Sequence, residues 1–323
     1  MDYTIFYKKK YENHLDISDR DYDLFISAYN KSERVNEVYK NISANEKHWI
    51  VLPEYNFTDV EFPAVDDGEL LFIYTNIGDE ASVVREYFEE NSEKIQGQNI
   101  CIDMTGFLRP HLMFLVRYLG LMKVGKVDFL YSDPDSYKDR EDTTFTSDYI
   151  EVRQVIGCEG NHNPETSNDL MIIGAGYDAQ RISDVAKNKA SARKIQLLGF
   201  PSLRPDMYQE NILNANKAEE EAGMGKEDSF SDPSTTILAP ANDPFVTAQL
   251  LSDFVKKENK KVEISNLYLC PLSTKAQTLG FSLFYISECI DKAVSMIFPF
   301  CHNYERQTST GISKVWIYTV EFY

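Results

Sequence analysis

Residues 99–137 read NICIDMTGFLRPHLMFLVRYLGLMKVGKVDFLYSDPDSY, and residues 266–304 read NLYLCPLSTKAQTLGFSLFYISECIDKAVSMIFPFCHNY. The two stretches align without a gap at an offset of 167 residues. Identities are few: Asn99/Asn266, Leu112/Leu279, Phe114/Phe281, Tyr118/Tyr285, Val127/Val294 and Tyr137/Tyr304. The physical pattern recurs more fully. Each copy has an apolar strand, a loop of small and polar residues, an apolar-striped helix, a second apolar strand and a Pro-containing exit. Such a strand–loop–helix–strand unit is a βαβ crossover, so its strands are expected to be parallel. Ligands on such sheets bind beyond the carboxyl ends of the strands. Residues 103–111 and 271–277 are therefore the places to look for chemistry.

Outward from the first copy, residues 23–29 (DLFISAY), 49–52 (WIVL) and 70–75 (LLFIYT) read as strands. Ser32 reads as the N-cap of a short helix, and residues 78–80 (GDE) as the acidic start of another. The second half restarts at residues 169–173 (DLMII), followed by a helix over 179–189 and a strand over 194–200. Residues 204–223 read as helical, and Asp243-Pro244 as a cap and first helical residue. Residues 314–322 (KVWIYTVEF) read as the strand that closes the second sheet. Strands alternating with helices throughout mean an α/β fold. The expectation is two Rossmann-like, mainly parallel sheets with helices on both faces, related by an internal pseudo-repeat. The half-boundary is placed in the polar stretch near 161–167, giving residues 1–163 and 164–323.

A net charge of −18 argues against an extended nucleic-acid face and against an anionic membrane surface. No apolar run approaches the ~20 residues of a membrane span. The first residues, MDYTIFYKKKYENH, lack an apolar core, so a signal peptide is not expected. Five widely spaced cysteines, with no CxxC pair, suggest neither a zinc site nor a disulfide framework. The expectation is a reduced, cytoplasmic protein with no metal site and with no cofactor identified.

Three loops carry candidate chemistry. Asp103, Thr105, Gly106, Arg109 and His111 bring a carboxylate, a hydroxyl, open backbone, a guanidinium and an imidazole to one strand–helix junction. Arg109 suits a phosphate, and His111 titrates near neutral pH. Ser273, Thr274, Lys275 and Gln277 form the matching loop of the second copy, a candidate anion site. Residues 174–179 (GAGYDA) follow an apolar strand and resemble the G-x-G-x-x-G/A loop of dinucleotide-binding proteins. Gly174 and Gly176 would let backbone amides approach a phosphate. Asp178 would place negative charge there, and the next strand ends in Pro201-Ser202 rather than in a ribose-binding acid.

A strand ending in a Thr/Gly or Ser/Thr-Lys loop, then a helix and a strand, resembles the CARF domains of CRISPR-associated proteins. Two such units in one chain resemble the SAVED domains of antiphage signalling systems. The resemblance covers the two repeat blocks. Phe107 follows Gly106 where those families carry Gly-Thr-Lys, and only the second copy has Thr274-Lys275. It implies a bacterial, antiphage setting and a cyclic oligonucleotide held across two loops at a dyad.

Three functions are consistent with these residues. The first is a nucleotide- or phosphometabolite-binding sensor, its ligand between pseudo-symmetric halves. The second is a hydrolase or transferase on a nucleotide-like substrate, with Asp103 or His111 as base and Arg109 and Lys275 as the anion clamp. The third is a scaffold subunit with a protein partner or a homo-oligomeric state. There is no HExxH, no Walker loop and no recognisable Ser-His-Asp order, so whether the chain is an enzyme stays open.

Overall fold

The computed structural model describes residues 1–75, 79–137, 149–225, 229–230, 232–301, 304–306 and 309–323. The expected helix start at Gly78 and part of the Gly- and Ser-rich stretch at 226–231 lie outside these residues. The chain forms two compact units on bounds other than 163/164. One, the split unit, comprises residues 6–148 and 301–323; the other, the inserted unit, comprises residues 1–5 and 149–300.

The split unit begins with β1 (Tyr7–Tyr11), β2 (Asp21–Ala28), α1 (Glu33–Asn41), β3 (Ser43–Val51) and β4 (Glu69–Ile73). It continues with α2 (Glu80–Glu90), β5 (Ile100–Asp103), α3 (Arg109–Met122), β6 (Gly125–Asp133) and the short β7 (Ser136–Tyr137). The inserted unit carries β8 (Tyr149–Gln154), β9 (Leu170–Gly174), α4 (Ala179–Asn188), β10 (Arg193–Gly199), α5 (Met207–Ala222) and β11 (Thr236–Ala239). After these come α6 (Pro244–Lys261), β12 (Leu267–Pro271), α7 (Lys275–Phe284) and β13 (Val294–Cys301). The chain then returns to the split unit with β14 (Ser309–Thr310) and β15 (Lys314–Phe322).

The fold is α/β, with two mixed, mostly parallel sheets. The split unit's sheet runs β1-β15-β6-β5-β2-β3-β4, and the inserted unit's runs β11-β10-β9-β12-β13-β8. In each, the five parallel strands lie in the order third-second-first-fourth-fifth, the doubly wound order of a Rossmann-like half.

The repeat holds at the level of register. Ile100 pairs with Val127, and Leu267 pairs with Val294; both partners shift by 167. A slip of one residue would turn every side chain to the other face, so the match is a strict one. It also aligns the remaining strands. Leu24 pairs with Ile100 as Leu170 pairs with Leu267, and Ser27 pairs with Trp49 as Ile173 pairs with Gln196. The shared Asn99/Asn266 now has a reason. Asn99 Nδ2 donates to the Asp21 carbonyl, and Asn266 Nδ2 donates to Asp169, each tying the fourth strand's start to that of the first.

Two strands lie where the sequence does not put them. Residues 314–322 do form a strand, but β15 closes the split unit's sheet, antiparallel to β6 over nine residues. β8, which lies within residues 1–163, joins the edge of the second sheet. Each sheet thus takes a strand from beyond its own run of crossovers. β1, the sequence YKKKY, was not expected as a strand; its lysines suit an exposed sheet edge. The core on one face of the split unit gathers Phe25, Val35, Val38, Tyr39, Trp49, Cys101 and Ile317, with Tyr39 stacked on Trp49 at 3.7 Å.

Candidate functional site

In each sheet the winding reverses between the first and fourth strands. The reversal falls at β2/β5 in the split unit and at β9/β12 in the inserted unit. The crevice beyond the carboxyl ends of such strands is where this architecture takes ligands. All three loops singled out in the sequence lie there. Asp103, Thr105, Gly106, Arg109 and His111 follow β5; Gly174, Gly176 and Asp178 follow β9; Ser273, Thr274, Lys275 and Gln277 follow β12.

In the inserted unit these residues are largely occupied by the fold. The Asp178 carboxylate accepts from the Arg181 backbone amide and so caps α4. Thr274 caps α7, accepting from the Gln277 amide at 3.1 Å, and its hydroxyl donates to the Ala241 carbonyl. Gln277 is fully buried, and its side-chain amide donates to the Ala239 carbonyl. A Cβ on Gly176 would stand 2.5 Å from the Leu272 carbonyl oxygen, so this glycine answers a close backbone approach. Gly174 would bring a Cβ to 3.0 Å from Ser273 Oγ. Ser273 is buried, and Lys275 opens α7.

The split unit has the same crossing with the glycine on the opposite side. Ala28 and Gly174 are equivalent by register, as are Gly106 and Ser273. A Cβ on Gly106 would lie 1.8 Å from the Ala28 carbonyl oxygen. Asp103 is fully buried and accepts from Ser27 Oγ and the Thr105 amide; Thr105 Oγ1 accepts from the Ser132 amide. The Gly106 carbonyl accepts from Tyr55 Oη.

Around this crossing the split unit gathers buried polar atoms that have no hydrogen-bond partner among the described residues. They are Ser32 Oγ, Arg34 Nε, Glu54 Oε2, both ring nitrogens of His111, Ser132 Oγ and Asp133 Oδ1. They come from the ends of β2, β3, β5 and β6. Ser32 and Arg34 are 4% and 8% exposed. Ser32 is the N-cap of α1, as read from the sequence, yet its side chain makes no capping bond. Arg34, in the first turn, donates through Nη1 to the Ser132 carbonyl. Burying unpaired polar groups costs about 1–3 kcal/mol each, so a cluster of them at one rim calls for an explanation.

His111 is 2% exposed, and its Nε2 lies 3.2 Å from Glu54 Oε1, an ion-pair contact without the alignment of a hydrogen bond. Burial disfavours the imidazolium, but Glu54, then Glu80 and Asp79, outweigh it and raise His111 above the ordinary histidine value. Burial likewise works against the Glu54 carboxylate, and His111 more than offsets it. Each partner thus favours the charged form of the other. Burial pushes the Asp133 carboxyl up to about 6, against the opposing pull of Trp316, Arg34 and Lys314.

Ser32, Arg34, Glu54 and Asp133 were not chosen as site residues from the sequence. One signal was available for Glu54, an acid three residues beyond the second strand. Behind the glycine loop the position of a sugar-binding acid is held by Pro201. A groove of about 670 Å³ in the inserted unit is lined by Lys256, Glu288, Lys292, Leu267 and Val294. It opens at the amino ends of β12 and β13, away from the reversal point. Among the described residues no group of three or more His, Cys, Asp or Glu is placed to hold a metal ion, and no helix is long and apolar enough to cross a membrane. No family model matches the chain, no curated protein is significantly similar to it, and no solved structure matches it.

Proposed function

We propose that the protein is a regulatory sensor that binds a nucleotide or phosphometabolite, its anionic group held at the amino end of α1. The observation that carries this reading is the pair of buried, unpartnered groups at that helix start, Ser32 Oγ and Arg34 Nε. A helix N-terminus after the first strand of a doubly wound sheet is a ready anion site. An arginine beside it supplies local positive charge in a chain of net charge −18. This reading puts the ligand within one unit rather than between two. Arg109 and Lys275, the clamp expected from sequence, belong to different units.

The test is titration calorimetry against linear and cyclic nucleotides and inorganic phosphate. Ser32→Ala removes an oxygen that supports nothing in the fold. Unfolding stability is expected to stay within about 0.5 kcal/mol of the parent, while ligand affinity falls by about 0.5–1.5 kcal/mol. Unchanged affinity in Ser32→Ala and in Arg34→Gln would count against the site.

A second reading, a hydrolase or transferase, draws on the Glu54–His111 pair. A buried carboxylate that orients an imidazole is the usual support of a general base. Turnover of the bound nucleotide, with His111→Ala lowering rate more than affinity, would favour it over the sensor.

A further inference from the structure

The two units fold on one register, so each is a control for the other. Ser32 and Asp178 are equivalent, both four residues beyond a matched position at a first-strand end (Ala28 and Gly174), and both N-caps of the helix that follows. Asp178 fills its own helix start with a carboxylate. Ser32 makes no such bond. At the end of the second strand, Glu54 is equivalent to Pro201, since Trp49 matches Gln196 and each lies five residues further on. His111 matches Thr278, whose hydroxyl is spent on the Thr274 carbonyl. The inserted unit therefore lacks the open helix start, the acid and the imidazole together. The split unit has all three.

From this we infer that the split unit binds a phosphorylated sugar, with Glu54 reading the sugar hydroxyls beside the phosphate at α1, and that the inserted unit binds none. The inference rests on the sensor reading above and names its ligand class. An ionised carboxylate only accepts hydrogen bonds, so Glu54 Oε2, buried and unpartnered, is matched by a donor. Its side chain as a whole is 23% exposed, with Oε2 just beneath that exposed surface. β2 and β3 are adjacent, and Ala28 pairs with Ile50. Ser32 and Glu54 each lie four residues past that pair, on neighbouring strand exits. A ligand that meets both carries an anion at one end and hydroxyl donors next to it, as ribose 5-phosphate does. His111 holds Glu54 in place and ionised; it is a positioning residue here.

The experiment is calorimetric titration of the full chain with inorganic phosphate, ribose 5-phosphate and 2-deoxyribose 5-phosphate. Ribose 5-phosphate is expected to bind about tenfold or more tightly than inorganic phosphate, the worth of a hydrogen bond to a charged group, with one site per chain. Glu54→Gln is expected to cut that preference to about twofold and leave inorganic phosphate unaffected. If loss of charge beside His111 unfolds this variant, Glu54→Asp keeps the charge and shortens the reach, with the same expected loss of preference. A weaker 2-deoxyribose 5-phosphate assigns the 2-hydroxyl to Glu54; equal binding assigns another hydroxyl. Phosphate binding that Ser32→Ala weakens, with no preference for the sugar or a preference that both Glu54 variants retain, overturns the inference and spares the anion site. Two sites per chain overturn the assignment of the inserted unit as empty. Failure of all three probes to bind overturns the inference, and failure of the nucleotides as well overturns the sensor reading itself.

Discussion

Burial lifts the Asp133 carboxyl to about 6 while one of its oxygens goes unpaired, so the folded chain holds this proton more tightly than the unfolded chain does. The sign follows. Stability is full below the unfolded value of 3.8, falls as pH rises through about 6, and stays low above it. Asp133→Asn keeps the Trp316 bond and removes the charge. It is expected to be more stable than the parent at pH 8, by up to about 3 kcal/mol, with the gain vanishing near pH 4. Urea midpoints at the two pH values check this; an equal effect at both would show that ionisation is not the cause. His111 runs the other way from an ordinary buried histidine. Its ring protons, followed by NMR, should titrate above 6.5, and in Glu54→Gln below it, because burial then faces less opposing charge. The ion pair's contribution is present below the unfolded value of His111 and above that of Glu54, and is lost as pH rises through the folded His111 value or falls through the folded Glu54 value.

At the scale of elements, the crossing of the first and fourth strand exits sets what each loop tolerates. Gly106→Ala would drive a Cβ into the Ala28 backbone, with no flexible side chain to yield, and is expected to cost more than about 3 kcal/mol. Gly97→Ala is the control. Its φ is +74°, yet nothing stands within 4 Å, so only the left-handed backbone is strained, at about 1 kcal/mol. Thermal melts of the two variants compare these costs directly. By the same geometry Gly176→Val does not remove phosphate binding from an intact fold, because it clashes with Leu272 first. The parallel crossovers were legible because apolar runs and their spacing are local properties of the chain. So was the strand at 314–322. The partner of that strand was not legible, since pairing across some 180 residues leaves no local trace. Nor was the Glu54–His111 contact, which joins the exits of two strands that are not neighbours in the sheet. The glycine loop drew attention in the unit where the fold uses it up, while the open helix start carried only an ordinary Ser.

At the scale of the molecule, both tryptophans, Trp49 and Trp316, lie in the split unit. Tryptophan fluorescence therefore follows that unit alone. Ile317→Pro removes a donor from β15 and sets a rigid ring in a strand paired on both sides. It is expected to abolish the native tryptophan emission while amide protection in β9 and β12 persists; loss of both together would mean that the two units unfold as one. The position of β15 has a consequence for how the protein is made. β15 lies between β1 and β6, so β1 finds its neighbour only after residues 314–322 have been synthesised. Until then the lysine-rich β1 lacks its strand partner while residues 149–300 are synthesised. A ribosome that stalls anywhere before residue 314 leaves a nascent chain with an open sheet edge at β6.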